Sequence, residues 1–235
     1  MGYQEQFVRR LGRTLAWATA VAGLMFSNGV LAEKKQLPEI DKDGLHLVKN
    51  SKVAVAYALP GGNLGEYSKV MLLDCYVQFK DNWARDYNMD EIGLEGRVGD
   101  KDMQRIQKGL ADEFRNEFTK TLTKDGHQVV DAAGPGVLLL RPAIVNLDVT
   151  APDMMRASRG NTWVRSAGSM TLYMELYDSE SGTLLARVVD PRYDPDNGAQ
   201  IANRATNKSA ADRIIRSWAE LLSSHLTEVK TTQAQ

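Results

Sequence analysis

Hydrophobic residues recur along this chain in two rhythms, and the changes of rhythm mark its elements. Residues 53–59 are a short apolar run closed by Pro60-Gly61-Gly62, which reads as a strand ended by a turn. Residues 69–79 then alternate. Met71, Leu73, Cys75, Val77 and Phe79 share one face, Val70, Leu72, Tyr76 and Gln78 the other, and the wholly apolar first face is expected to point inward. Residues 80–99 form a long polar segment that carries Trp83, Arg85 and Tyr87. From Asp100, read as the cap, the period lengthens: Met103, Ile106, Leu110, Phe114, Phe118 and Leu122 step by three or four, predicting a helix that runs to Lys124 and stops at Gly126. Val129-Val130 begin a strand broken by the turn Gly134-Pro135-Gly136. Residues 137–149 form a long strand that Pro142 bends or places at an edge. Residues 168–178 alternate cleanly, and Ser181-Gly182 turns them into a strand over 184–190, the plainest hairpin in the chain. A last helix over 209–229 sets Ala211, Ile214, Ile215, Trp218, Leu221, Leu222 and Leu226 on one face and Asp212, Arg213, Arg216 and Glu220 on the other.

Strands in runs rather than in strict alternation with helices predict an α+β fold. Its sheet is antiparallel or mixed, of about six strands in the order β-β-α-β-β-β-β-α, and two helices cover one face. The ends read differently. Arg9, Arg10 and Arg13 precede the uncharged apolar run 14–26, and Val30-Leu31-Ala32 puts small residues before Glu33, the layout of a signal peptide cleaved after Ala32. The run is shorter than the ~20 residues a spanning helix needs, so no transmembrane segment is expected in the mature chain. This predicts a signal peptide over 1–32, an extended arm over 33–51, a single domain over 52–229 and a disordered tail over 230–235. The expected location is the periplasm or beyond, with no acylation cysteine.

Composition narrows the chemistry. With 29 Lys+Arg against 30 Asp+Glu and a net charge of −1, the chain has no polybasic surface, and nucleic acid is not an expected partner. The single cysteine, Cys75, forbids an intramolecular disulfide and reads as a buried apolar residue. His46, His127 and His225 are scattered without paired spacing, so neither a metal site nor any other cofactor is expected. Asp190, Asp194 and Asp196 before Gly198 resemble a calcium loop loosely, but Pro191 and Pro195 interrupt the spacing and no Glu closes it. No Gly-x-Ser-x-Gly elbow is present for a nucleophilic serine. The glycines of 61–65 lead into a strand, and those at 93, 96 and 99 precede a helix start already occupied by Asp100 and Asp102. Both read as turns rather than phosphate cradles.

Four stretches together carry a resemblance: residues 37–45 (LPEIDKDGL), 138–144 (LLLRPAI), 165–172 (RSAGSMTL) and 185–190 (LARVVD). The chain resembles the bacterial family called domain of unknown function 3313 over residues 37–228. The resemblance implies a cell-envelope protein without assigned activity and supplies no catalytic residues. Unlike the family's lipoprotein members, this chain has no cysteine to acylate. What remains is a recognition surface. If the strands from 137, 168 and 184 form a meander, loops 151–165 and 191–205 lie at one end of the sheet, and loop 80–99 joins them if its strand runs the same way. Those loops hold Trp83, Arg85, Tyr87, Trp163, Arg165, Arg192 and Tyr193, residue types enriched at binding hot spots. The expected function is non-enzymatic binding of an envelope protein or cell-surface component. The alternatives are a hydrolase using dispersed acids such as Asp148, Asp153 and Asp190, or a protein that self-associates into homo-oligomers.

Overall fold

The two longest strands that the pattern predicted, 137–149 and 168–178, pair with each other at the middle of the sheet. The computed structural model describes residues 36–90, 97–150, 162–164, 167–195, 200–202 and 204–233. The chain divides into two units, Met1–Glu39 and Ile40–Gln235, and the second holds every element described here. In order these are β1 (His46–Leu47), β2 (Val55–Ala58), β3 (Lys69–Leu72), β4 (Tyr76–Phe79), α1 (Trp83–Asp90), α2 (Asp100–Lys124), β5 (Gln128–Val130), β6 (Val137–Val149), β7 (Thr162–Val164), β8 (Gly168–Asp178), β9 (Leu184–Tyr193), β10 (Gln200–Ala202) and α3 (Arg204–Gln233). A mixed sheet of eight strands runs β1-β2-β9-β8-β6-β3-β5, with β4 also paired to β6, while β7 and β10 form a separate two-stranded ladder. The class is the expected α+β with a mixed sheet, although strand number and order differ from the simple succession.

The meander of β6, β8 and β9 is antiparallel throughout. β3, β4 and β5 are parallel to their partners, because α1 and α2 carry the chain back between β4 and β5. The run 69–79 is not one strand. Leu72 pairs with Leu140 and Tyr76 with Ala143, so four steps on one side match three on β6. One extra residue shifts the phase of the alternation. As a result Val70 and Leu72 join Cys75, Val77 and Phe79 in the core, and Tyr76 is exposed. The expected inward face therefore holds from Cys75 onward and is reversed before it.

α2 and α3 lie on one face of the sheet. Phe114, Phe118 and Leu122 of α2 and Ile215, Trp218, Leu222 and Leu226 of α3 pack with Leu138, Leu140, Ile144, Leu172 and Leu176 of the sheet. Each of those larger side chains contributes about 1.5–3 kcal/mol on burial. α2 begins after Gly99, whose N–H donates to Asp102 Oδ2 at 3.2 Å; the capping carboxylate is thus Asp102 rather than Asp100. The helices are laced together by Arg216–Glu117 at 2.9 Å and Lys208–Glu113 at 2.7 Å, and Ser223 donates to Asp125 at 2.7 Å. The Arg216 guanidinium beside Glu117 holds that carboxyl below its ordinary range.

Candidate functional site

β4 and β6 run in the same direction, β8 starts where β6 stops, and β9 ends beside the start of β8. The chain that follows β4, β6 and β9 therefore emerges at one end of the sheet. Backbone bonds tie these exits together. Lys80 N donates to Leu147 O at 2.9 Å and Asp194 N to Gly168 O at 2.9 Å, while the β7–β10 ladder pairs Trp163 with Ile201. Asp194, buried, accepts from Ala167 N at 2.9 Å and from Arg213 of α3 at 2.7 Å, pinning the end of β9 to the helix layer. Gly168 makes this closure sterically feasible: its φ is +135°, and a Cβ there would lie 1.9 Å from Asp148 O.

The predicted surface residues fall into different roles. Trp83 is only 6% exposed, stacks on Phe79 at 4.3 Å and on Tyr87 at 5.8 Å, and donates its ring N–H to Val149 O at 3.2 Å. It anchors α1 to the end of β6. Arg85 is exposed and paired with its neighbour Asp86. Arg192 reaches Asp190 at 2.7 Å, and Tyr193 stands 75% exposed beside Ser169. Trp163 sits in β7, and Arg165 lies outside the described residues. The polar segment 80–99 is thus partly helical, a feature its composition concealed.

Between α2, α3 and this end of the sheet a cleft of about 300 Å³ opens. Ile106 and Leu110 of α2, Leu147 and Val149 of β6, Met170 of β8 and Ile214 of α3 supply its apolar wall, with Arg105, Glu113, Lys208, Asp148 and Asp194 among the remaining lining residues.

Of the dispersed acids, Asp148 lines the cleft and Asp190 is not among the lining residues. Asp148 pairs with Lys80 at 3.2 Å. Asp190 is buried and accepts from Trp218 Nε1 at 2.8 Å, Arg192 Nε at 2.7 Å and Ala54 N at 2.8 Å, so both its oxygens are engaged. Asp153 and Asp196 lie outside the described residues. Among the described residues no three His, Cys, Asp or Glu side chains are grouped as metal ligands.

A second polar centre lies on the sheet face away from the helices, and sequence reasoning missed it. Glu175 of β8 is 6% exposed. It accepts from Tyr173 and Tyr177 hydroxyls at 2.7 Å each, from Arg187 of β9 at 3.0 and 3.2 Å, and from Arg141 of β6 at 3.4 Å. Arg187 also donates to Asp41 and Asp43, binding the segment before β1 onto the sheet. Burial alone would raise the Glu175 pKa, but the tyrosine and arginine donors outweigh it and hold the carboxyl below its ordinary value. Burial beside Glu175 pushes the Tyr177 hydroxyl up to about 12. The signal was available: Thr171, Tyr173, Glu175 and Tyr177 alternate with the core positions, and the hairpin turn sets Glu175 opposite Arg187.

A family model described as DUF3313, protein of unknown function, matches residues 43–222. The chain belongs to the DUF3313 family. Three of the stretches that carried the resemblance join in one network of this DUF3313 chain, Arg141 and Arg187 binding Glu175 while Asp41 and Asp43 bind Arg187, and the fourth supplies Gly168. No curated protein matches the sequence. Solved structures with similarity include a PelC dodecamer from Paraburkholderia phytofirmans, at 11% identity over 66% of this chain and 89% of that one, TM-score 0.34. A Xanthomonas campestris protein of family DUF330 has 11% identity over 72% and 89%, TM-score 0.39. A minor lipoprotein from Acinetobacter baumannii has 11% identity over 68% and 94%, TM-score 0.29. No helix among the described residues of the DUF3313 chain is long and apolar enough to cross a membrane.

Proposed function

We propose that the protein is an exported cell-envelope protein that works by binding, not by catalysis, and that it offers the loop end of its sheet to an envelope protein or cell-surface component. The observation that carries this reading is the convergence of the exits from β4, β6 and β9 on one rigidly tied end. Recognition residues are commonly held on loops placed by such a scaffold. The exposed Tyr193 ring supplies the kind of anchor that dominates interfaces. The arginine-rich, apolar, small-residue layout of residues 1–32 supports export. The engagement of both Asp190 oxygens by structural donors supports a binding role over the hydrolase alternative. The test is a crosslinking pull-down from the native envelope with the wild type and Tyr193→Ala. Loss of a specific co-purifying species in the variant, with melting unchanged, is the expected result; identical recovery from both proteins refutes the placement of the surface.

A further inference from the structure

The cleft beside α2 and α3 exists because the two helices change residue size along their shared length. Toward the far end they meet through Phe114, Phe118, Trp218 and Leu222. At the loop end the positions that line the cleft include Gly109 on α2 and Ala210 and Ala211 on α3. Gly109 lies inside a helix of 25 residues, where glycine costs roughly 0.5–1 kcal/mol relative to alanine. A Cβ added there would meet nothing within 4 Å. Gly109 is exposed at the edge of the cleft, so a larger residue there has room without displacing a neighbour.

Every charged side chain among the described lining residues already has a partner. Arg105 is paired with Asp102 at 2.9 Å, Lys208 with Glu113 at 2.7 Å, Asp148 with Lys80 at 3.2 Å, and Asp194 with Arg213 at 2.7 Å. A charged ligand would have to compete with an existing partner at each of them. Apart from Ser169 and Asn207 the remaining lining is aliphatic, and no aromatic ring is present among the described lining residues, so these offer no platform on which a planar ring would stack. From Arg105 to Glu113 the helical wall extends about 12 Å at 1.5 Å per residue. The volume of about 300 Å³ is at the small end of ligand sites.

We infer that this cleft holds a single uncharged alkyl chain, the chemistry of one lipid tail. The inference deepens the reading of the loop end as a binding surface by naming what enters the cleft there. Titration of the purified protein with straight-chain alcohols from hexanol to dodecanol, followed by calorimetry, tests it. Affinity should rise about fourfold for each methylene buried and level off once the chain outgrows the cleft. Phenylbutanol, with the carbon count of decanol, should bind more weakly than decanol. Gly109→Leu and Ala211→Leu each place a side chain at the gap and should abolish the titration while far-UV spectra stay those of the wild type and melting is not lowered, Gly109→Leu melting slightly higher because it removes a mid-helix glycine. Tyr193→Ala, whose side chain is not among the residues that line the cleft, should leave it unchanged, so failure of the cleft and failure of the partner surface are read separately. Affinity that does not grow with chain length, equal binding of phenylbutanol, or binding that persists in both filled variants would overturn the assignment.

Discussion

Replacing Glu175 by glutamine changes one oxygen for an amide and leaves the shape of the side chain intact, so it isolates the charge at the centre of the outer polar cluster. The carboxylate receives two tyrosine hydroxyls at 2.7 Å and the Arg187 and Arg141 guanidinium groups at 3.0–3.4 Å. In the variant the new NH₂ faces donors, and Arg187, whose side chain is 12% exposed, loses its nearest charge on β8. Removing one member of a buried ion pair costs about 3–5 kcal/mol. Arg187 keeps Asp41 and Asp43, and the glutamine oxygen still serves one tyrosine, which brings the expected loss to about 2–3 kcal/mol. In urea, with a slope of about 2 kcal/mol per molar, the midpoint should fall by roughly 1–1.5 M with the slope unchanged. Because the folded carboxyl holds its proton more weakly than the unfolded one, its stabilisation is complete above the unfolded value of 4.5 and is lost as pH falls through the lower folded value. The gap between wild type and Glu175→Gln should therefore shrink in acid below pH 4.5. A midpoint shift under 0.2 M at pH 7, or a gap that widens in acid, would show that the Glu175 charge does not hold this cluster together.

The other outcomes concern single sites. Gly168→Ala should abolish cooperative melting or lower stability by more than about 3 kcal/mol, since its φ of +135° and the 1.9 Å approach to Asp148 O leave no room for a methyl group. Trp83→Ala should cost about 3–5 kcal/mol in chemical denaturation as a core deletion, whereas Trp83→Phe, which keeps the stack on Phe79 and loses the bond to Val149, should cost about 1 kcal/mol for that bond and up to about 1.5 kcal/mol more for the volume change. Burial raises the Cys75 thiol to about 12, so a thiol reagent at pH 8 should label it only on unfolding; rapid labelling of the native protein would contradict its placement in the core.

How much of this was legible follows from which interactions are local. β6, β8 and α2 announce themselves because their patterns are long and single-phased, and their observed limits, Val137–Val149, Gly168–Asp178 and Asp100–Lys124, coincide with the run of the pattern. The break near Leu73 hid because both phases of residues 69–79 are apolar; only the register against β6 exposes the extra residue. α1 is one short amphipathic stretch whose Trp83 and Tyr87 lie four residues apart, a spacing that marks a helix only once Phe79 is there to stack on. The union of Asp41 and Asp43 with Arg187 spans more than 140 residues and depends on the edge position of β1, which no local pattern encodes. The convergence of the loops was legible from the meander, whereas the cleft depends on how α2 and α3 pack at the positions of Gly109 and Ala211.

The most direct measurement places a photocrosslinking residue at Tyr193 or at Glu180, the latter exposed in the β8–β9 turn at the opposite end of the sheet, and irradiates the native envelope. If the loop end is the binding surface, position 193 gives one reproducible adduct and position 180 gives none. Adducts from 180 alone, equal yields from both ends, or none from either would contradict that placement.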